Sequence, residues 1–352
     1  MGGDLSVAII VFVASACVVV YCGAKLAVYG DALATLTGWG RLFVGSLLMA
    51  LATSLPELSA NISAVRLDPP NPELALGDIL GSNMLNIFIL AGVAMVFGAN
   101  RFLVRVAPEQ AYLIVAASGL TGLALLLGAL GIGVTLWEVG ISSIVLIVAF
   151  LASMWMVYKT RPEEDSEYEA EPTLGLGRAW ALFALASAGV VVSGFFLAWS
   201  ADQITEVTGI ASSTLGILLV SVVTSMPEVS STITAARIGA ADLGVAGLYG
   251  SCAFNISILF YSDIFYRDGV VLNQMEPAHF VAGGVAGGMM LTGLVLILAR
   301  RRIKQAVSVL LLALMAGAYV AGAVIVATIG ESEKQDEANG HATLADAGLN
   351  RE

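Results

Sequence analysis

The chain has 352 residues, of which 58% are hydrophobic and only 12% are charged, with a net charge of −11 and a mean hydropathy of +0.89. A soluble domain carries about 25% charged residues, so this composition excludes a soluble globular protein, and the acidic balance argues against nucleic-acid binding. Apolar stretches long enough to cross a hydrocarbon core of about 30 Å recur along the sequence, which predicts an all-α polytopic protein embedded in the lipid bilayer.

The apolar stretches predict about ten transmembrane helices, the first of which has no basic segment before it and is therefore not a cleaved signal. A polar, acidic segment at 159–177 is predicted to be a linker, and the polar residues 329–352 are predicted to be a disordered tail. The ten predicted spans are residues 6–28, 41–66, 73–98, 108–130, 136–158, 178–200, 211–237, 242–265, 277–299 and 303–328.

The lysines and arginines are distributed unevenly between the two sides of the predicted membrane. Twelve lie on the side of the 159–177 linker and four lie on the side of the termini. The positive-inside rule therefore predicts a multi-pass protein of the plasma membrane with a cytoplasmic linker and both termini outside.

Cysteine and histidine are too sparse and too scattered for a catalytic or zinc site. Cys17, Cys22 and Cys252 lie in apolar stretches without Cys/His metal spacing, and neither His279 nor His341 lies in the middle of a span. An intramembrane hydrolase would need a metal-binding motif such as HExxH or a nucleophile with its base. The sequence therefore predicts neither an enzyme nor a bound cofactor.

Two segments resemble each other at a spacing of 171 residues. Residues 52–66 read ATSLPELSANISAVR and residues 223–237 read VTSMPEVSSTITAAR, with eight of fifteen positions identical. Downstream, GSNMLNI at 81–87 matches GSCAFNI at 250–256. Because five predicted spans separate the copies, the second copy crosses the membrane in the opposite direction, as in many secondary transporters. The two predicted five-helix repeats are residues 1–158 and 178–328, with motifs at 52–87 and 223–256.

Each copy carries one carboxylate in the middle of a span, Glu57 in the first and Glu228 in the second. A charge at the bilayer centre costs about 2.5–3.5 kcal/mol on insertion scales, and no lysine or arginine lies mid-span to compensate it. The carboxylates must therefore bind cations from solution or be protonated. Transporters with inverted repeats place such sites near the bilayer midplane, between the two copies.

The neighbours of both glutamates are oxygen donors. Thr53 and Ser54 share a helical face with Glu57, and Pro56 is expected to kink the helix and free a carbonyl oxygen. Thr224, Ser225 and Pro227 repeat this pattern around Glu228. Carboxylates, hydroxyls and carbonyls are the ligands of hard cations, and two bidentate glutamates with two carbonyls would supply about six oxygens for Ca²⁺.

The GS motifs add a hydroxyl and an amide one turn apart on each predicted helix. Ser82 and Asn86 have this spacing in the first copy, and Ser251 and Asn255 have it in the second. Such residues also serve as interhelical contacts in membranes, but their recurrence beside the glutamates favours ion binding. Gly81 and Gly250 precede them and would allow close helix approach.

TSLPE and TSMPE, each followed by GS-x-x-x-N, resemble the two alpha repeats of the sodium/calcium exchangers within the calcium:cation antiporter superfamily. In that family the two glutamates bind calcium together with backbone carbonyls, and the same glutamates and nearby hydroxyls bind sodium alternately. With only about 20 polar residues between the halves, no large regulatory domain is expected. The resemblance implies metal-binding roles for Thr53, Ser54, Glu57, Ser82, Asn86, Thr224, Ser225, Glu228, Ser251 and Asn255.

Two positions depart from the family pattern. Sodium/calcium exchangers usually have aspartate where this chain has Asn255, and often have asparagine where it has Asp78. Asp78 is either a replacement third carboxylate or an interfacial residue. The sequence therefore predicts exchange of Ca²⁺ for Na⁺ by alternating access, with H⁺/Ca²⁺ antiport through the same glutamates as the alternative, since buried carboxylates can also exchange protons. A passive channel is disfavoured because proline-broken inverted repeats favour alternating access.

Overall fold

The structure is a computed structural model that describes residues 5–66, 68–160, 174–208 and 221–349, with side chains described except at 197–198, 201–208 and 330–349. The first half contains α1 (Leu5–Thr37), α2 (Gly40–Phe43), a π-helical segment (Val44–Met49), α3 (Ala50–Thr53), α4 (Leu55–Ala64), α5 (Pro72–Val96), α6 (Asn100–Val104), α7 (Gln110–Leu130), a hairpin of β1 (Thr135–Leu136) and β2 (Val139–Gly140), and α8 (Ile141–Thr160). The second half contains α9 (Leu176–Thr208), α10 (Ser221–Thr224), α11 (Met226–Arg237), α12 (Ala241–Phe265), a 3₁₀ turn (Val271–Gln274), α13 (Pro277–Ala299) and α14 (Gln305–Leu349).

Eight of the described helices are individually long and apolar enough to cross a membrane, namely α1, α5, α7, α8, α9, α12, α13 and α14. A ninth crossing combines Gly40–Thr53 with Leu55–Ala64, which meet at a bend of 43°. The predicted span 211–237 is described only from Ser221 onward. The structure thus confirms the all-α polytopic fold of about ten helices in two inverted five-helix repeats.

Several helix boundaries differ from the prediction, and for two of them the reason can be identified. The first helix continues to Thr37 instead of ending at 28. Its polar second half stays helical because Leu26 and Leu33 are completely buried, and Asp31 pairs with Arg41 at 2.5 Å. The fifth span begins at Ile141 instead of 136, because the preceding residues form the small hairpin.

The last helix continues to Leu349, through residues that were expected to form a disordered tail. This segment is rich in alanine and glutamate, which have high intrinsic helix propensity. Its polarity excludes it from a membrane core but not from a solvated helix. The predicted acidic linker lies mostly outside the described residues.

The centre of the molecule is formed by α5 and α12, the two helices that carry the GS motifs. In the most apolar windows of these helices, 78% of the α5 residues and 94% of the α12 residues are buried. They pack against each other, and α5 also contacts α13 and α14, whereas α12 contacts α7, α8, α11 and the π-helical segment. Outside this centre, α1 packs along α9 and α11. The motif residues are therefore held away from lipid.

The inverted symmetry extends to polar contacts between the halves. Gln110 Nε2 donates a hydrogen bond to the backbone oxygen of Asp242 at 3.0 Å. The repeat counterpart of Gln110 is His279, and that of Asp242 is Glu73, each at a spacing of 169 residues. His279 Nε2 lies 2.9 Å from the backbone oxygen of Glu73. Each repeat thus holds the first turn of the other repeat's central helix.

Candidate functional site

Both predicted helix breaks are present, and they have nearly the same geometry. Ser54 separates α3 from α4 with φ −92° and ψ 10°, and Ser225 separates α10 from α11 with φ −83° and ψ 5°. In each case proline is the second residue of the following helix. Proline has no N–H, so the carbonyls of Ala52 and Val223 lose their usual helical donors. The breaks therefore place loosened backbone beside each glutamate.

The two glutamates are buried, and each is contacted by the serine of the opposite repeat. Glu57 is 0% exposed and Glu228 is 2% exposed. Ser54 Oγ donates a hydrogen bond to Glu228 Oε1 at 3.2 Å, and Ser225 Oγ donates one to Glu57 Oε1 at 3.4 Å. No described lysine or arginine forms an ion pair with either glutamate. The halves therefore meet through reciprocal serine–carboxylate contacts.

One oxygen of each carboxylate remains without a donor. Oε2 of Glu57 and Oε2 of Glu228 are buried and accept no hydrogen bond in the described part of the chain. Burying an unsatisfied charged oxygen is costly, so native structures normally provide such an atom with a partner, including an ion. The pair of open oxygens is therefore suited to a cation.

The predicted residues of the GS motifs differ in how they join this arrangement. Ser251 Oγ donates to Glu228 Oε1 at 3.2 Å and lies 3.3 Å from Thr53 Oγ1. Its counterpart Ser82 is fully buried, and its hydroxyl has no hydrogen-bond partner among the described residues. Both polar atoms of Asn86 are likewise buried and unpartnered there. In the second copy, Asn255 Oδ1 is unpartnered in the described chain.

Asp78 is buried beside the residues predicted from the motif. It is 2% exposed, and it accepts hydrogen bonds from Asn61 Nδ2 at 2.7 Å and from Thr224 Oγ1 at 3.4 Å. The equivalent position of the second repeat is Gly247, so the third carboxylate makes the site asymmetric. Its contact with Thr224 joins Asp78 to the residues predicted from the motif.

Two asparagines that the sequence analysis did not name complete the polar core. Asn61 lies one turn after Glu57 and is fully buried, with its amide bonded to Asp78. Asn83 is also fully buried; its Nδ2 donates to the Cys252 carbonyl at 3.1 Å and its Oδ1 accepts from Asn255 at 3.1 Å. Asn61 could have been identified from its helical spacing to Glu57. Asn83 could have been identified from its position between Ser82 and Asn86 in the GS motif.

The glycine preceding Ser251 makes the close approach that was predicted for it. A Cβ on Gly250 would lie 2.6 Å from the Cα of Ser46 in the π-helical segment. The repeat counterpart of Ser46 is Ile217, which lies outside the described residues, so the corresponding contact of Gly81 is not described. Gly250 therefore lets α12 lie directly against the broken span.

A second pair of glycines packs against the prolines of the opposite repeat. A Cβ on Gly23 would lie 2.9 Å from the backbone oxygen of Pro227, and one on Gly194 would lie 2.7 Å from Pro56 Cγ. These glycines are 171 residues apart, like the prolines. Helices α1 and α9 therefore brace the two helix breaks symmetrically.

Together these residues form a site made of oxygen and amide groups. Among the described residues, no three side chains of histidine, cysteine, aspartate or glutamate converge as a ready-made metal cluster. Hydroxyls and amides instead lie between the carboxylates. Such an oxygen-rich set suits hard cations such as Ca²⁺ and Na⁺ better than transition metals.

Comparison with known proteins agrees with this chemistry. The family model described as "Sodium/calcium exchanger protein" matches residues 7–159 and 178–328. The inner membrane protein YrbG of Escherichia coli (strain K12) is 24% identical over 253 residues, covering 68% of this chain and 74% of YrbG. The putative antiporter CaxA of Alkalimonas amylolytica is 30% identical over 123 residues, covering 35% of this chain and 37% of CaxA.

The fold also matches solved structures. The sodium-calcium exchanger NCX_Mj superimposes with a TM-score of 0.67 at 19% identity, covering 90% of this chain and 98% of that one. The family match covers both halves and leaves out most of the predicted linker and the tail. The protein is accordingly a multi-pass membrane transporter and not an enzyme. The chain belongs to the sodium/calcium exchanger family.

Proposed function

We propose that this protein exchanges Ca²⁺ for Na⁺ across the plasma membrane by alternating access, without a cofactor. Family membership supports calcium/cation antiport, and the choice of sodium goes beyond it. The observation that carries the proposal is the pair of buried glutamates, each with one oxygen held by a serine of the other repeat and one oxygen open.

In this proposal Ca²⁺ binds between Glu57 and Glu228 and neutralises both. Carbonyls at the two helix breaks complete about six oxygen ligands, the lower end of the range for calcium. Sodium ions replace calcium by using the same carboxylates and the surrounding hydroxyls. The proposed binding residues are Glu57, Glu228, Thr53, Thr224, Ser54, Ser225, Ser82, Ser251, Asn86 and Asn255, with Asp78 as a third carboxylate.

The hydroxyls favour sodium over protons. A carboxylate needs no further ligand to carry a proton, whereas a sodium ion needs several oxygens around it. Ser82 is buried with an unpartnered hydroxyl in the described chain, and Ser251 and Thr53 lie beside Glu228 and each other. These side chains are therefore available to line small oxygen cages.

Proton-coupled antiport through the same glutamates is the alternative. Asn255 favours it, because that position usually carries aspartate in sodium/calcium exchangers. Asp78, buried beside Thr224, offsets this argument by restoring a third carboxylate.

The two forms of coupling are separated by uptake of Ca²⁺ into proteoliposomes with one gradient imposed at a time. Sodium coupling predicts uptake driven by an outward sodium gradient at equal pH. Uptake driven only by a pH gradient, with no effect of sodium, would favour the alternative.

We also propose that both termini are extracytoplasmic and that the linker is cytoplasmic. The support is the twelve-to-four distribution of lysine and arginine. In this orientation the described ends of α5 and α11 at Val96 and Arg237 lie toward the cytoplasm.

A further inference from the structure

Three arginines line one cavity at the end of the bundle where α5 and α11 end. The cavity has a volume of about 670 Å³, and Arg101, Arg105 and Arg237 are exposed along it. None of the three forms an ion pair with a carboxylate in the described part of the chain. Because Arg101 and Arg105 are four residues apart, they extend from the same side of the α6 turn. The cavity is therefore lined by three uncompensated positive charges.

The beginning of α12 brings backbone N–H groups to this cavity. Ala241, the first residue of the 25-residue helix, lines the cavity, and Ala240 before it provides no side-chain cap. The first backbone N–H groups of a helix carry a partial positive charge and attract anions. The nearby carboxylate of Asp242 accepts a hydrogen bond from the Ala107 amide at 2.6 Å. This contact gives the carboxylate a partner other than the arginines.

An apolar groove of about 730 Å³ continues from this cavity. The two share Val96, Phe97 and Arg237. Along α5 the groove is lined from Leu85 to Val96, which is about 16 Å at 1.5 Å per residue. One leaflet of a bilayer core is about 15 Å thick, so the groove is as long as the acyl region of one leaflet. The described residues that line the groove include no carboxylate.

The groove is encoded in the sequence of this end of the molecule. Its lining residues Ala24, Gly92 and Val96 have larger aromatic counterparts in the other repeat, at the opposite end of the bundle, namely Phe195, Tyr261 and Phe265. There, Arg66, the counterpart of Arg237, lies over the Phe265 ring at 5.8 Å from its centroid. Three positions along the groove therefore carry smaller side chains than their repeat counterparts.

We propose that this cavity and groove bind an anionic phospholipid. The phosphate lies among the three arginines and the start of α12, and one acyl chain lies in the groove. Basic pockets between helices at the cytoplasmic surface are suited to anionic headgroups. A free phosphate ion would use the arginines but would leave the apolar groove without a role.

The test uses the full-length protein in detergent, titrated with dioleoyl phosphatidylglycerol or dioleoyl phosphatidylcholine and read by native mass spectrometry. Arg101→Gln/Arg105→Gln removes headgroup contacts. Arg301→Gln/Arg302→Gln is the matched control, because both residues are exposed and do not line the cavity. Gly92→Phe fills the groove, and Gly119→Phe on α7 is its control. A Cβ at either glycine meets no atom within 4 Å, so both variants are expected to fold.

The unmodified protein is expected to prefer phosphatidylglycerol. Arg101→Gln/Arg105→Gln should weaken the binding of phosphatidylglycerol by roughly 30-fold, because each basic residue contributes about 1 kcal/mol. Its control variant should bind the lipid normally. Gly92→Phe should weaken the binding of both lipids, whereas Gly119→Phe should weaken the binding of neither. Equal binding of the two lipids by the unmodified protein would overturn the proposal. A second result would also overturn it: millimolar inorganic phosphate displaces phosphatidylglycerol, and Gly92→Phe binds the lipid as well as the unmodified protein does. The site would then bind phosphate alone.

Discussion

Ser54 of the first repeat donates a hydrogen bond to Glu228 of the second repeat, across 3.2 Å in the buried centre of the molecule. The inverse contact joins Ser225 to Glu57. Any relative movement of the two repeats must therefore change the surroundings of both carboxylates at once. This coupling between the halves is what an exchanger needs if one site is to face the two sides of the membrane alternately.

Replacement of either glutamate by glutamine should reduce calcium transport to background. Glu57→Gln and Glu228→Gln keep the size of the side chain but remove the charge that Ca²⁺ would neutralise. The measurement is calcium uptake into proteoliposomes that contain equal amounts of inserted protein.

Glu138→Gln is the matched control for these variants. Glu138 lies exposed in the β1–β2 turn and pairs with Arg267. Replacing Glu138 should leave transport unchanged. Normal calcium flux in Glu57→Gln or Glu228→Gln would show that the site has been placed incorrectly.

The buried serines of the GS motifs test the coupling ion. At fixed pH, Ser82→Ala and Ser251→Ala should each raise the sodium concentration for half-maximal calcium flux several-fold, because each removes one oxygen from a sodium cage. The effect on calcium affinity should be smaller. If flux follows the pH gradient and is indifferent to both replacements, protons are the coupling ion.

Asp78 is expected to contribute to ion affinity without being indispensable. Asp78→Asn keeps an acceptor for Asn61 but removes the third negative charge, so half-maximal flux should require more cation, with the maximal rate retained. Asp242→Asn is the control, since that carboxylate accepts from Ala107 at the start of α12. Unchanged cation dependence in Asp78→Asn would assign Asp78 a structural role.

The contact of Gly250 with the broken span should limit stability. Gly250→Ala places a methyl group 2.6 Å from the Ser46 Cα, and such overpacking costs about 1–3 kcal/mol. Gly287→Ala on α13 meets no atom within 4 Å and should be neutral or slightly stabilising, because alanine is the better helix former. Thermal unfolding of the two variants in detergent measures this difference. Equal unfolding midpoints would contradict the close approach of Gly250 to Ser46.

Orientation can be tested by labelling a cysteine introduced at position 340 or at position 165 in a background without native cysteines. An impermeant thiol reagent should label position 340 in intact cells and position 165 only after lysis. The opposite pattern would reverse the topology.

The fold class and the glutamate pair could be predicted from the sequence because both depend on strong local signals. Span length follows from bilayer thickness, and an uncompensated mid-span charge such as Glu57 needs a functional explanation. The repeated motif then identified Glu228 as its counterpart. The structure confirms the fold, and it places both glutamates in the buried core.

Features that depend on packing between helices could not be predicted. Periodicity shows that Ser54 and Glu57 share a face, but the structure pairs Ser54 with Glu228 instead, because the two halves are in contact at the helix breaks. The burial of Asp78 and its contact with Asn61 likewise arise where α4 meets α5. The extension of α1 to Thr37 depends on its packing against other helices.

Calcium flux in proteoliposomes, measured with and without an exchangeable cation on the opposite side, tests the exchange mechanism most directly. We predict no net calcium flux when neither sodium nor a proton gradient is supplied, and rapid flux when the counter-ion is added. Labelled calcium should still exchange for unlabelled calcium when neither sodium nor a proton gradient is present. Net calcium movement down its own gradient in the absence of any counter-ion would contradict the account and identify a channel.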